Sequence, residues 1–362
     1  MLAGLAMVFS RGATVLLPIN DNTSPPYLGV VDLTTNTDAF AAWLNRTSVF
    51  GNGVFAGGPG SDWNSLATVP KWFFDPATHW ILERPGRVMV IGVPILPGPT
   101  NDSGPTTGPE KGPVSLAAGA QGRYNKYFYA MGRNLVANHL GGSILRLGWE
   151  FNGDWYAWHV TTAADAAHFS GFWKQIVDTL RTVPGQNFRF LWGGALTYVG
   201  PHPAYPLAQA FPSGNDANGR AYVDYVGLDI YDESWAYYPW PKGATAQQVE
   251  AARAKVWSDT INTRVNYWGI PVWTDLAKAH HLPFTIPEWG ASGDAHGGQD
   301  DTAFIQHMYQ FIQDPANNVF FAAYYDSETS KLSPTHGYVT ALPQAASLYR
   351  KLFGLPVPAL PR

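Results

Sequence analysis

Apolar residues along the chain alternate between two spacings. Short runs of strand length recur at 27–33, 49–55, 87–95, 144–150, 188–192, 223–231, 283–288 and 319–325. The third run is apolar almost throughout, as a strand covered on both faces must be. The segments between them carry helical spacing. Phe169, Phe172, Trp173, Ile176 and Val177 form one stripe in a helix predicted over 163–180. Other helices are predicted from Thr37 or Asp38 to Arg46, from Asp300 or Asp301 to Ile312, and over 76–83, 121–140, 244–267, 273–280 and 343–352. Eight strands alternating with helices predict an α/β fold, a (β/α)8 TIM barrel. A doubly wound sheet would need a phosphate loop. The nearest candidate, Gly51-x-Gly53, lacks a third glycine and a following helix.

The barrel accounts for residues 27–353. Residues 1–26 are read as an N-terminal arm and 354–362 as a Pro-rich tail. The arm holds an apolar run at 2–9 that lacks a basic flank and a small-residue cleavage site and is too short to span a bilayer. It is read as a packed arm or the remnant of a leader, with a secreted or periplasmic location expected. The stretch 97–119 is rich in Gly, Pro, Thr and Ser and too long for a routine connection, so it is expected to be an insertion over one face.

Composition narrows the chemistry. Only 14% of the 362 residues are charged, the net charge is -4 and no basic run occurs, which argues against a nucleic-acid partner. The absence of cysteine rules out disulfides, thiol nucleophiles and zinc–thiolate sites. The histidines form no metal-binding spacing, and Gly290-Ala291-Ser292-Gly293 is one residue short of a nucleophile elbow. No cofactor is expected, and a monomer or weak homo-oligomer is.

A barrel places function at the C-terminal ends of its strands. There the chain offers two glutamates in similar contexts, Trp149-Glu150 and Pro287-Glu288-Trp289-Gly290. Two carboxyl groups facing one cavity among aromatics is what glycoside hydrolysis requires. One protonates the leaving oxygen; the other attacks the anomeric carbon or activates water. Arg146 is four residues before Glu150, so a regular strand would put both on one face. Asp229 is expected to face the interior, paired with a base. Of 15 tryptophans, Trp149, Trp155, Trp158, Trp192, Trp235, Trp240 and Trp289 fall at or beyond strand ends, where indole faces can stack on sugar rings.

Arg146, Glu150, Asn152, Gly153 and Trp155 together resemble the acid/base motif of glycoside hydrolase family 26, the family of β-mannanases and related endoglycanases. Pro287-Glu288-Trp289-Gly290 resembles its nucleophile strand, and Tyr231 the tyrosine that hydrogen-bonds the nucleophile. The resemblance implies a retaining endo-acting glycosidase on a polysaccharide or oligosaccharide. It makes Glu150 the acid/base and Glu288 the nucleophile. Together with the strand-end positions, substrate contacts are expected from Arg146, Trp149, Asn152, Trp155, Trp192, Tyr231, Trp289 and Tyr325. Trp149 stands where the family has a histidine against the sugar, which implies a substrate other than plain β-1,4-mannan. The competing readings are a transglycosylase and a non-catalytic carbohydrate-binding barrel.

Overall fold

The computed structural model describes residues 24–32, 34–55, 62–68, 71–97, 113–196, 205–264, 268–335 and 340–355. Eight parallel strands close into one barrel in sequence order. They are β1 (Tyr27–Val31), β2 (Gly51–Phe55), β3 (Val88–Val93), β4 (Ile144–Leu147), β5 (Arg189–Ala195), β6 (Tyr225–Tyr231), β7 (Phe284–Gly290) and β8 (Val319–Tyr325). The helices are α1 (Thr37–Trp43), α2 (Trp63–Thr68), α3 (Lys71–Glu83), α4 (Leu116–Ala120), α5 (Asn125–Ala137), α6 (Ala163–Arg181), α7 (Leu207–Ala210), α8 (Ala246–Val256), α9 (Ile270–Ala279), α10 (Thr302–Gln313) and α11 (Pro343–Phe353). None of the described helices is long and apolar enough to cross a membrane. Residues 1–23 of the predicted arm, most of the 97–119 insertion and residues 356–362 of the predicted tail lie outside the described residues.

Local chemistry sets the helix starts. Thr162 opens α6 with a reciprocal capping box to Asp165. Asp301 opens α10 by accepting from Ala303 and Phe304 backbone N–H groups. The helix predicted over 244–267 stops as an α-helix at Val256 and continues as one wider turn, Trp257–Ile261. The short helices α2, α4 and α7 are too brief to show a period in sequence.

The core has two layers. A large apolar cluster fills the space between strands and helices, with Trp173, Trp192, Trp273 and Trp289 fully buried in it. A smaller cluster plugs the barrel itself, with Tyr27, Phe50, Val88, Val90, Ile144, Leu191 and Phe321. That plug stops partway. Two residues beyond Ile144, the next inward position of β4 is Arg146, and the inward series of β6 ends with Asp229 and Tyr231. The barrel interior is therefore apolar at one end and charged at the C-terminal mouth.

Candidate active site

The turn after β4 is where the structure departs from a regular strand. β4 ends at Leu147, and Gly148 and Glu150 both take left-handed backbone conformations, with φ of 55° and 52°. Glycine bears this at no cost, whereas Glu150 is held there against its preference. Arg146 and Glu150 thus share the mouth through a tight turn rather than through strand parity, which corrects the sequence argument. The turn is pinned by Asn152, whose side chain donates to Ala195 O at 2.8 Å and accepts from Ala195 N at 2.9 Å. Both ends of that amide serve the end of β5, so the substrate contact expected of Asn152 gives way to a positioning one. Gly153 lets Trp155 fold over it, since a Cβ there would lie 2.3 Å from the indole. The indole N–H then donates to Glu150 Oε2 at 2.8 Å.

Glu288 reaches the same space through an irregularity in β7. The register to β6 runs Gly227↔Thr285 and then Ile230↔Trp289, one residue longer on β7; the register to β8 shows the same excess. The extra residue is a bulge at Pro287–Glu288, and it re-aims a side chain next to the site. Thr285 packs inward beside Gly227, so strict alternation would have turned Glu288 outward. Instead its carboxylate is buried at the mouth. Oε1 accepts from Arg146 Nη1 at 2.6 Å and Oε2 from the Tyr231 hydroxyl at 3.1 Å.

Arg146 is the hub. Its other terminal nitrogen donates to Asp229 Oδ2 at 2.5 Å, and its side chain is almost wholly buried. A buried guanidinium divided between two carboxylates positions them, and with its side chain 4% exposed it offers almost no surface to a sugar. The substrate contact expected of Arg146 is corrected accordingly. Asp229, expected to pair with a base, pairs with this one.

One cation among three carboxyl groups leaves an excess of negative charge in a dry site. Burial and the nearby Glu288 charge raise Glu150 to about 7, while the Trp155 N–H and Arg146 pull the other way. Burial also raises Asp229 well above the carboxylate range, against Arg146 and with the Glu288 and Glu150 charges. Tyr231 is pushed well above its ordinary value by burial and by Glu288, so it remains a hydroxyl donor. Tyr325 ends β8 half-buried with its ring 5.8 Å from that of Tyr231, edge to face.

The remaining tryptophans split by parity. Trp192 follows the inward Leu191, so it points outward into the helical layer against Phe151, Phe211 and Trp273. Trp289 follows the bulge and packs among Phe304, Tyr324, Tyr349 and Phe353. Trp149 is buried against Tyr156 and Trp158. None of the three can stack on a substrate, which corrects the expectation for each. The inference drawn from Trp149 against mannan loses the sugar contact on which it rested. Sequence reasoning missed Tyr156: its hydroxyl accepts from Trp149 Nε1 at 3.0 Å, and the Glu150, Glu288 and Arg146 charges all act on it. The aromatic cluster from Trp155 to Trp158 was its only signal.

No family model and no curated protein matches the sequence. The fold is similar to the solved structure of the Bacillus subtilis mannanase BCman, with 14% identity, 90% of this chain and 85% of that chain covered, and a TM-score of 0.54. It is similar also to a Cellulomonas fimi endo-β-1,4-mannanase double mutant, with 15% identity, 91% and 71% covered, and a TM-score of 0.55. GH26C from a Muricauda species matches with 14% identity, 90% and 84% covered, and a TM-score of 0.52. At such identities the likeness shows a common (β/α)8 barrel.

Proposed function

We propose that the chain is a retaining, endo-acting glycoside hydrolase of β-linked polysaccharide, with Glu288 as nucleophile and Glu150 as acid/base. The observation that carries this reading is the division of labour between the two carboxyl groups. Glu288 is fixed through both oxygens by Arg146 and Tyr231. Glu150, beside it, is raised to about 7 and so can hold a proton near neutrality.

In the first step a Glu288 oxygen forms a bond to the anomeric carbon as the glycosidic C–O bond breaks. The Glu150 proton passes to the leaving oxygen. In the second step Glu150 takes a proton from water, the water oxygen bonds to the anomeric carbon, and the Glu288 ester bond breaks. Trp155 keeps Glu150 aimed into the cleft, and Tyr231 and Arg146 take up the charge that returns to Glu288. Tyr325 and the exposed indole of Trp155 are the substrate contacts that the geometry favours.

Polymers of this kind are met outside the cytoplasm, which supports a secreted or periplasmic enzyme. Two of the solved structures that share the fold are mannanases by name, so β-1,4-mannan is the first polymer to test. The test of mechanism is independent of the sugar. A Glu288→Ala variant should be inactive with an activated aryl glycoside and regain turnover with azide, giving the glycosyl azide of inverted configuration. Product of inverted configuration from the wild type would rule out double displacement.

A further inference from the structure

Six large hydrophobic side chains stand exposed among the described residues, and two of these lie on loops at the barrel mouth: Trp155, 38% exposed, and Trp235, 60% exposed. Trp155 is accounted for by Glu150. Trp235 has no part in the chemistry described above, yet it is held in place from several sides.

The loops after β6 and β7 run together as a short ribbon. Ser234 N donates to His296 O at 2.9 Å, Gly298 N donates to Asp232 O at 3.0 Å, and Glu233 and Gly297 form an antiparallel bridge. The Ser234 hydroxyl accepts from Ala236 N and Tyr237 N, closing a tight turn that projects Trp235 outward. The indole lies on the His296 ring at 5.0 Å between centroids and 16° between planes. His296 Nδ1 is 3.1 Å from Tyr238 O. A carbonyl oxygen only accepts, so Nδ1 carries the hydrogen and the ring orientation is fixed. Tyr238 in turn donates its hydroxyl to Asp232, the residue after Tyr231. The stack is thus tied to the strand end that also carries the Glu288 contact.

One face of the indole is covered by imidazole and the other is open. An apolar face presented on a rigid mount loses little freedom when a flat apolar partner covers it. In a glycan the matching surface is the C–H face of a pyranose ring. The stack is carried by the loops that follow β6 and β7, the latter the strand that bears Glu288. We propose that Trp235, backed by His296, forms a remote subsite that stacks one pyranose ring of a neutral β-glycan outside the carboxylate cluster. The proposal rests on the glycosidase reading, and the experiment separates the two.

Purified wild type, Trp235→Ala, Trp235→Phe and His296→Ala are compared on β-1,4-mannohexaose, cellohexaose, xylohexaose and laminarihexaose, and on the corresponding trisaccharides. Binding is measured by titration calorimetry in a Glu150→Gln background and cleavage in the unaltered one. For the hexasaccharide that the wild type uses, Trp235→Ala should raise KM at least tenfold with kcat unchanged and leave the trisaccharide unaffected. Trp235→Phe should recover part of the loss, and His296→Ala should show a smaller one. If a hexasaccharide binds but is not cleaved by the wild type, the catalytic reading fails, and a tenfold weaker Kd in Trp235→Ala still supports the subsite. Equal KM or Kd in wild type and Trp235→Ala, or no hexasaccharide bound at all, overturns the proposal.

Discussion

Trp155 donates its indole N–H to Glu150 Oε2 at 2.8 Å while part of its ring stays open to solvent. One side chain therefore both orients the proposed acid and borders the space the leaving group must occupy. The bond favours the ionised form of Glu150, against burial and the Glu288 charge that raise it to about 7. Trp155→Phe keeps a ring and removes only the donor. The ionised form then loses support, so the pKa rises. The basic limb of kcat/KM, expected near 7 in the wild type, should shift to higher pH, with kcat lower by roughly tenfold because the carboxyl is less well aimed. A pH–rate profile of both proteins checks this, and an unmoved basic limb would count against Glu150 as the group it reports.

Arg146 holds Asp229 and Glu288 together in a site almost closed to water. Replacing it by Met leaves two carboxyl groups buried without their cation, a change that costs about 3–5 kcal/mol in comparable buried pairs. The sign of the pH dependence follows from Asp229, which is already raised well above its ordinary value by burial. A carboxyl whose folded pKa exceeds its unfolded one costs stability above the unfolded pKa, and that cost disappears below it. The loss in Arg146→Met should be largest at neutral pH and shrink as pH falls toward about 4. Urea denaturation at several pH values measures it; a pH-independent loss would contradict the charge argument.

The buried and exposed tryptophans should separate by measurement. Trp192→Ala and Trp289→Ala remove fully buried indoles from the layer between barrel and helices, and each should cost about 3–5 kcal/mol. Trp235→Ala removes a ring that is 60% exposed and should cost far less, and Trp155→Ala, which also loses the hydrogen bond to Glu150, should fall between the two. Thermal or chemical unfolding of the four variants checks the division. A stable Trp192→Ala protein with impaired substrate binding would restore the cleft role that its burial now excludes.

The barrel was legible because its strands are short apolar runs with helical stripes between them, and the range 319–325 predicted for the last strand is the one observed. The glutamates were legible as carboxylates at strand ends. What escaped was parity. Leu191 and Trp192 are both apolar, and nothing in either residue says which fills the barrel plug and which the helical layer. On β7 the bulge reverses the alternation, so counting from Thr285 gives the wrong face for Glu288. At Gly148 the backbone leaves the strand and returns Glu150 to the mouth by a route that period two does not describe. Strand-end position had already singled out both glutamates, and the motif match added roles that counting along a strand does not supply. The same match carried substrate roles onto Trp149 and Asn152, which here serve the turn.

Tyr231 offers the most direct test of how Glu288 is held. Its hydroxyl donates to Oε2 at 3.1 Å, and burial together with the Glu288 charge keeps it protonated far above neutral pH. In the first step negative charge leaves Glu288 as the glycosyl ester forms; in the second it returns. A donor fixed on Oε2 therefore favours the second step more than the first, and it also fixes the attacking oxygen in place. Tyr231→Phe removes that donor and nothing else from the packing, because the ring against Tyr325 is retained. The loss of one preorganised donor to a developing charge is worth on the order of 10²-fold in rate. We expect kcat to fall by about that factor with KM little raised. Return of charge to Glu288 should become the slow step, so that an activated aryl glycoside gives a burst of aglycone before a slow steady state. Stopped-flow release of the aryl group reads both phases, and a Tyr231→Phe enzyme with full kcat and no burst would show that the hydroxyl has no part in the reaction.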